Sequence, residues 1–287
     1  METVRWGQGP VDFELESNDP LVLRHARGVF KPWPASESRR VACRWRILAR
    51  DGMFYVTTRS SNSAESSPQA APNVEAAVCN VEFAAIARLL DCEEHVLCIH
   101  SALLSRSGRG IAIVGPSLAG KTTLACALWQ RGWSFHCDDA IMIENGLAYP
   151  TPRRVSLRSE SRDLVGDSLW DRSVATPSFA TTAKGCLFHP HEIGESDATP
   201  GSANLAAVIF LARRGAPVSG PPRKLPAVET AIGLLPYSNL RRHLPFSDAL
   251  NHVARVAENV PGYDVPRAEL GEMTAAIENL SPAFRER

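Results

Sequence analysis

The chain has 287 residues, 44% of them hydrophobic and 22% charged, and its 31 basic residues are balanced by 31 acidic ones. This length suits one large domain or two smaller ones and is enough to bury a core without disulfide or metal staples. The pI near 7.1 speaks against the basic excess of a nucleic-acid binder, and the apolar fraction against a disordered acidic chain.

From the start, residues 1–10 carry Glu2 and Arg5 and no apolar run, so no signal peptide is expected. Residues 11–15 alternate apolar and polar as a half-buried strand does. Asn18-Asp19-Pro20 offers a cap and a first-turn proline for a helix over 21–30. Residues 41–48 and 53–58 alternate around Asp51-Gly52, which predicts a hairpin. The Ser/Ala/Pro-rich stretch 59–72 reads as a linker and the best domain boundary. It separates a small α+β N-terminal unit, 1–72, from a larger domain, 73–287. A long amphipathic helix follows over 74–90.

Apolar segments 96–104 and 110–114 flank a turn, 124–131 is helical, and 133–137 is a short buried strand. Residues 140–144 continue extended to Asn145-Gly146, the strongest hairpin signal in the chain. Residues 205–211 form another buried strand, and 248–259 and 267–280 two closing helices. The tracts 195–204 and 215–226 read as loops. Mixed strands and helices around one central motif predict an α/β fold. No run of about 18 apolar residues predicts a membrane span. The seven cysteines include no CxxC pair, so no zinc ribbon or redox motif is indicated. The expectation is a soluble cytoplasmic protein with no nucleic-acid or membrane partner; homo-oligomerisation is left open.

Gly115-Pro116-Ser117-Leu118-Ala119-Gly120-Lys121-Thr122 fits the phosphate-binding pattern GxxxxGK[ST] and lies between an apolar strand and a helix, the context the motif requires. Glycines let backbone N–H groups converge on phosphate oxygens, and the helix N-terminus adds its positive end. Lys121 supplies the charge for the β- and γ-phosphates, and the Thr122 hydroxyl suits a Mg²⁺ ligand. With Thr123, this loop is the candidate ATP-binding segment.

Asp138 and Asp139 end the strand 133–137, where ligands bind in α/β sheets. One carboxylate can hold Mg²⁺ and the other accept a hydroxyl proton. Side chains adjacent on a strand point to opposite faces, which predicts different roles. An Asp pair in a solvated turn is the plainer reading. His100 is a polar residue in an apolar strand and by itself reads more readily as a satisfied core histidine.

The run from His100 to Asp139, HSALLSRSGRGIAIVGPSLAGKTTLACALWQRGWSFHCDD, resembles the core of bacterial HPr kinase/phosphorylase and its related kinases, in which a histidine-led strand, a P-loop and tandem aspartates recur at this spacing. The resemblance implies a P-loop kinase core of the HPr kinase type, ATP and Mg²⁺ as cofactors, and phosphorylation of a serine hydroxyl on a protein or peptide. It implies Asp139 as general base helped by His100, Asp138 near the metal with Thr122, and Lys121 on the phosphates. The family's Glu-(Ile/Val)-Arg-Gly signature is absent; Lys184-Gly185-Cys186-Leu187 sits at the comparable place. The chain is thus more similar to divergent members, some of which phosphorylate a peptide precursor.

Two other classes stay open: a small-molecule hydroxyl kinase on the same core, since fold does not fix substrate, and a non-catalytic nucleotide switch. Lys184 and Arg213-Arg214 are candidate cations over the γ-phosphate, with surface solubility the plainer reading. Trp129 and Trp133 read as core, and His189 and His191 as a loop.

Overall fold

The computed structural model describes residues 1–8, 11–33, 41–60, 64–92, 97–151, 153–182, 184–193, 201–211 and 220–280. By compactness the chain divides into Met1–Glu93 and Glu94–Arg287.

The first unit contains β1 (Glu2–Gln8), β2 (Val11–Ser17), α1 (Pro20–Val29), β3 (Val41–Arg50), β4 (Met53–Ser60), β5 (Gln69–Ala71) and α2 (Val74–Cys92). The strands form one sheet in the order β1-β2-β3-β4-β5, with β2 and β3 parallel. Asp19 caps α1 by accepting from the Leu21 N–H at 2.8 Å, as the Asn-Asp-Pro signal predicts. Asp51 and Gly52 both have positive φ, 51° and 74°, the backbone of a tight hairpin turn. One sheet face buries Trp6, Phe13, Leu15, Trp45 and Ile47, and Trp6 stacks on Phe30 at 3.8 Å. On the strands' alternate positions, Glu14 and Glu16 face Arg44 and Arg46 across the β2–β3 pair, favourable cross-strand charge pairing.

Two expectations change here. Residues 59–72 are not simply a linker: Arg59 and Ser60 end β4, and β5 adds to the sheet with Phe54 opposite Ala71. Helix α2 packs with α1 and β4, so compactness groups it with the first unit, whereas composition placed the boundary at residue 72. The composition marked a turn-rich segment, and backbone pairing absorbed its end.

The second unit contains β6 (Leu97–Ile99), β7 (Ala102–Arg106), β8 (Arg109–Val114), α3 (Lys121–Gln130), β9 (Ser134–Cys137), β10 (Ile141–Glu144), β11 (Leu147–Pro150), β12 (Val155–Arg158), α4 (Arg162–Val165), α5 (Asp167–Val174), β13 (Ala180–Thr182), β14 (Gly185–Phe188), β15 (Ala203–Leu211), β16 (Arg223–Leu225), α6 (Ala227–Leu234), α7 (Phe246–Asn259), β17 (Gly262–Val265) and α8 (Leu270–Glu278). Among the described residues nine strands make the main sheet, in the order β6-β10-β11-β15-β8-β7-β9, with β17 on β15 and β16 on β17. The long β15 pairs with β8 in parallel along one edge; along the other it meets β11 at its start and β17 at its end. A small second sheet runs β12-β14-β13.

Both faces of the main sheet are covered, and the residues alternate accordingly. Leu103, Ala112, Val114, Val208 and Phe210 enter one apolar core with residues of α6 and α7. Leu104, Ile111, Ile113, Ile209 and Leu211 enter the other with residues of α3 and α8. Trp133 is buried in that second core and Trp129 packs against it, which bears out their reading as core. The predicted Asn145-Gly146 hairpin is present, with φ of 50° and 79°.

The apolar segment 96–104 is not one strand. It breaks at His100-Ser101 into β6 and β7, so His100 stands at a strand break rather than within a strand. The break is held by backbone bonds, His100 N–H to Tyr237 O at 2.9 Å and Ser101 N–H to Asp139 O at 3.1 Å.

Candidate functional site

The loop 115–120 leaves the C-terminal end of β8 and enters α3 at Lys121. Gly115 is packed so closely that a Cβ would stand 2.7 Å from the Leu211 carbonyl oxygen on the neighbouring β15. No other residue fits there without moving the sheet. Gly120, at φ 91°, turns the chain into the helix as its left-handed cap. Leu118 also has a left-handed φ of 69°, uncommon for a branched side chain, and it holds the side chain 71% exposed at the loop crest.

Above the loop lies a cavity of about 300 Å³. From the loop and helix it is lined by Ser117, Leu118, Gly120, Lys121, Thr122 and Thr123, and from elsewhere by His100, Asp138, Asp139 and Arg153. Gly115 and Pro116 do not line it; their carbonyls accept from Lys121 Nζ at 2.9 and 3.3 Å. Ala119 lines an adjoining cavity instead. The residues singled out in the sequence therefore converge, although they come from three separate stretches of chain.

Asp138 and Asp139 lie in a bend just past β9, and their surroundings differ. The Asp138 side chain turns to α3. Its Oδ2 accepts from the Thr122 hydroxyl at 3.2 Å and the Ser156 N–H at 3.3 Å. Its Oδ1 is buried with no hydrogen-bond partner among the described residues. Burial pushes its carboxyl up to about 6, reinforced by the charge of Asp139 and opposed by Arg153, Ser156 and Thr122. A buried carboxylate oxygen without a donor beside a threonine hydroxyl is costly alone and suits a hard cation, which takes oxygen ligands. Asp138 and Thr122 thus fit Mg²⁺. Among the described residues no cluster of three or more His, Cys, Asp or Glu could hold a metal; Mg²⁺ characteristically uses one or two carboxylates plus phosphates and water.

Asp139 faces the opposite way chemically. His100 Nδ1 lies 3.1 Å from its Oδ1, and Arg153 donates to its Oδ2. Burial works against its ionised form, but the His100 hydrogen bond and the Arg153 charge outweigh that and hold the carboxyl at about 2. Burial also lowers the pKa of Lys121, while the charges of Asp139 and Asp138 act to raise it. Two adjacent carboxylates thus sit in two environments, one hydrogen-bonded by His100 and ion-paired with Arg153, the other buried against α3.

Arg153 has no counterpart among the residues singled out in the sequence. It arrives because the chain returns after β11: the Thr151 N–H and hydroxyl both bond the Ala140 carbonyl, at 3.0 and 2.7 Å, beside the aspartates. The adjacent Arg153-Arg154 pair, closely following a hairpin after the Asp pair, was the available signal. Ser156, Arg158 and Ser161 also line the cavity. Lys184 is exposed and absent from both cavity linings, so it is not the cation over this site; it stands at the entry to β14. Arg213 and Arg214 lie outside the described residues. The His189 and His191 rings lie 5.0 Å apart, tilted by 37°, by a short helical turn, and neither is in the cavity lining.

No protein-family model and no curated protein matches the chain. Among solved structures it is similar to the Hpr(Ser) kinase/phosphatase from Coxiella burnetii, with a TM-score of 0.36 and 20% identity over 63% of this chain and 94% of that one. That is a distant likeness, and the chemistry of the site rests on this chain's own residues. Among the described residues, no helix is long and apolar enough to cross a membrane.

Proposed function

We propose that the chain is an ATP- and Mg²⁺-dependent kinase that transfers the γ-phosphoryl group to a serine or threonine hydroxyl of a protein or peptide. One observation carries the reading: the loop residues Lys121 and Thr122 share a single cavity with two aspartates held in opposite electrostatic states. Paired carboxylates with divergent environments are the usual way to divide acid–base and metal roles.

In this reading the loop amides and Lys121 hold the triphosphate, and Lys121 exchanges its hydrogen bonds to its own loop carbonyls for phosphate oxygens. Mg²⁺, held by Thr122 and Asp138, supplies charge neutralisation on the phosphates. The acceptor oxygen forms its bond to the γ-phosphorus as the bond to the bridging oxygen breaks. The hydroxyl proton passes to Asp139, which is ionised at neutral pH. His100, 3.1 Å away, orients that carboxylate, and Arg153 fixes its other oxygen. A carboxyl at about 2 is a weak base, which suits phosphoryl transfer, where catalysis is mostly positioning and charge stabilisation.

A second reading has an observation of its own. Lys121 is satisfied by Gly115 O and Pro116 O and Asp139 by His100 and Arg153, a self-contained state that a bound nucleotide would have to open, as in a nucleotide switch. Mass spectrometry of protein, peptide and small hydroxyl acceptors after incubation with Mg-ATP separates these. A phosphorylated serine or threonine supports the proposal. ATP hydrolysis with no phosphorylated product supports the switch.

A further inference from the structure

The five-stranded sheet of the first unit has two unlike faces. The inner face buries Trp6, Phe13 and Trp45. Both helices lie on that side. Phe30, which ends α1, stacks on Trp6, and Arg88 of α2 donates to Ser60, whose strand partner is the buried Cys43. Alternation along the strands sends the intervening residues to the outer face. There Arg5, Glu14, Arg44 and Arg59 form one row across β1, β2, β3 and β4. Thr3, Glu16, Arg46 and Thr57 form the next, and beyond it Leu48 stands opposite Tyr55.

The carboxylates of this face lie beneath its guanidinium groups. Glu14 is 2% exposed and Glu16 18%, against 56% for Arg5, 39% for Arg44 and 36% for Arg46. Asp12, in the row on the far side of Glu14, is also buried. Glu14 accepts from Arg5 and Arg44, and each guanidinium keeps further N–H donors for a ligand. Glu65 accepts from Thr57 and lies 3.6 Å from Arg46, so that row carries its own counter-charge. Arg59 is different. It is exposed and, among the described residues, has no hydrogen bond or ion pair. It nevertheless stands directly opposite Arg44, and like charges opposite one another on paired strands are destabilising. Three cations thus share one buried carboxylate in this row, and their excess charge points outward.

We propose that this outer face is a docking surface for an acidic segment of a protein or peptide. Carboxylates of that segment would pair with Arg5, Arg44 and Arg59, and an apolar residue would rest on Leu48 and Tyr55. Charge complementarity carries the choice of partner: guanidinium groups pair with carboxylates in bidentate fashion, and a carboxylate set between Arg44 and Arg59 turns their repulsion into attraction. Sheet faces that bind RNA offer several stacking aromatics, and Tyr55 is the only aromatic in the three rows. The inference goes beyond the kinase reading and uses no residue of the phosphate site.

Fluorescence polarisation on the full chain tests it, with a labelled peptide of alternating Glu and Ser, its Lys-for-Glu counterpart and oligouridylate as probes. The Glu peptide should bind at low salt, more weakly as salt is raised, and the Lys peptide should not bind. Arg59→Glu should weaken Glu-peptide binding at least about tenfold, because a like charge then faces the ligand. Its melting temperature should not fall, since no partner is lost, and Mg-ATP affinity should stay unchanged. Arg24→Glu, an exposed position on α1 and so on the other side of the sheet, should leave peptide binding intact. Absence of Glu-peptide binding, equal loss in the two charge reversals, or tighter binding of oligouridylate than of the Glu peptide would overturn the proposal. None of those results bears on the phosphate site, which Mg-ATP binding reads separately.

Discussion

Asp139 and Arg153 form an ion pair inside the candidate site, with Arg153 only 6% exposed. The pair makes Asp139 a structural as well as a chemical residue. Asp139→Asn removes proton acceptance and also takes the negative charge away from beside a buried guanidinium. Phosphoryl transfer should fall by about 10²–10⁴-fold, the contribution of a positioned general base. Stability should fall on the order of 3 kcal/mol, the cost of breaking one side of a buried pair. Adding Arg153→Met should recover part of the melting temperature and none of the rate. Thermal melts beside a phosphorylation assay check both; full-rate transfer by Asp139→Asn would remove it as base. His100→Ala should cost less than Asp139→Asn in rate, since it acts on the carboxylate and not on the acceptor.

Asp138 predicts the opposite sign of stability change. Its folded-state carboxyl, at about 6, lies above its ordinary value of 3.8. The folded chain therefore binds this proton more tightly than the unfolded chain, and stability on this account falls as pH rises from 3.8 to about 6. In EDTA at neutral pH, Asp138→Asn should stabilise the protein, on the order of 2–3 kcal/mol from a shift of this size. The gain should vanish near pH 4, and Mg²⁺ dependence of the activity should be lost. Melting curves with and without Mg²⁺ at both pH values decide it; a destabilised variant at neutral pH would show that the burial cost is met some other way.

Asp139 titrates in the other direction. Held at about 2 against an ordinary 3.8, it contributes stability that is present above 3.8 and lost as pH falls toward 2. Acid unfolding of wild type should therefore include a component absent in Asp139→Asn, visible as a shallower dependence of melting temperature on pH below 3.8.

Lys121→Ala should weaken Mg-ATP binding by about 10–100-fold, the range for losing a charge-assisted hydrogen bond. The fold should tolerate it, because burial already penalises the ammonium and its hydrogen bonds run only a short way back, to the carbonyls of its own loop. Unchanged affinity by calorimetry would remove the lysine from the phosphate site.

The two loop glycines should differ when replaced by alanine. At Gly115 a Cβ meets Leu211 O at 2.7 Å and Ala119 Cβ at 3.2 Å, so loop and sheet must part, and both stability and nucleotide binding should suffer. At Gly120 no described residue stands within 4 Å, and the penalty is the left-handed backbone, about 1–2 kcal/mol. A Gly115→Ala variant with wild-type melting and ATP binding would contradict this close packing of loop against sheet.

Much of this molecule was legible because its signals are local. The loop 115–120 is set by glycine conformation and by following an apolar strand. The Asp51-Gly52 and Asn145-Gly146 turns are set by the left-handed preference of those residues. The cap at Asp19 is set by one side chain and one amide. Each operates over a few neighbouring residues, so amino-acid order by itself determines it. The convergence of His100, Lys121, Thr122, Asp138 and Asp139 on one cavity belongs to another level. It depends on the strand break at His100, held by the Tyr237 carbonyl, and on β15 pairing with β8 to set the loop against Leu211. Arg153 reaches Asp139 only through the return of the chain after β11, and the adjoining cavity joins Leu118 to Met273 through α8. Those arrangements are chosen by burial of two sheet faces and by which carbonyls remain to be satisfied. Such terms sum over the whole unit and leave no local trace, which is why only the tertiary structure decided them.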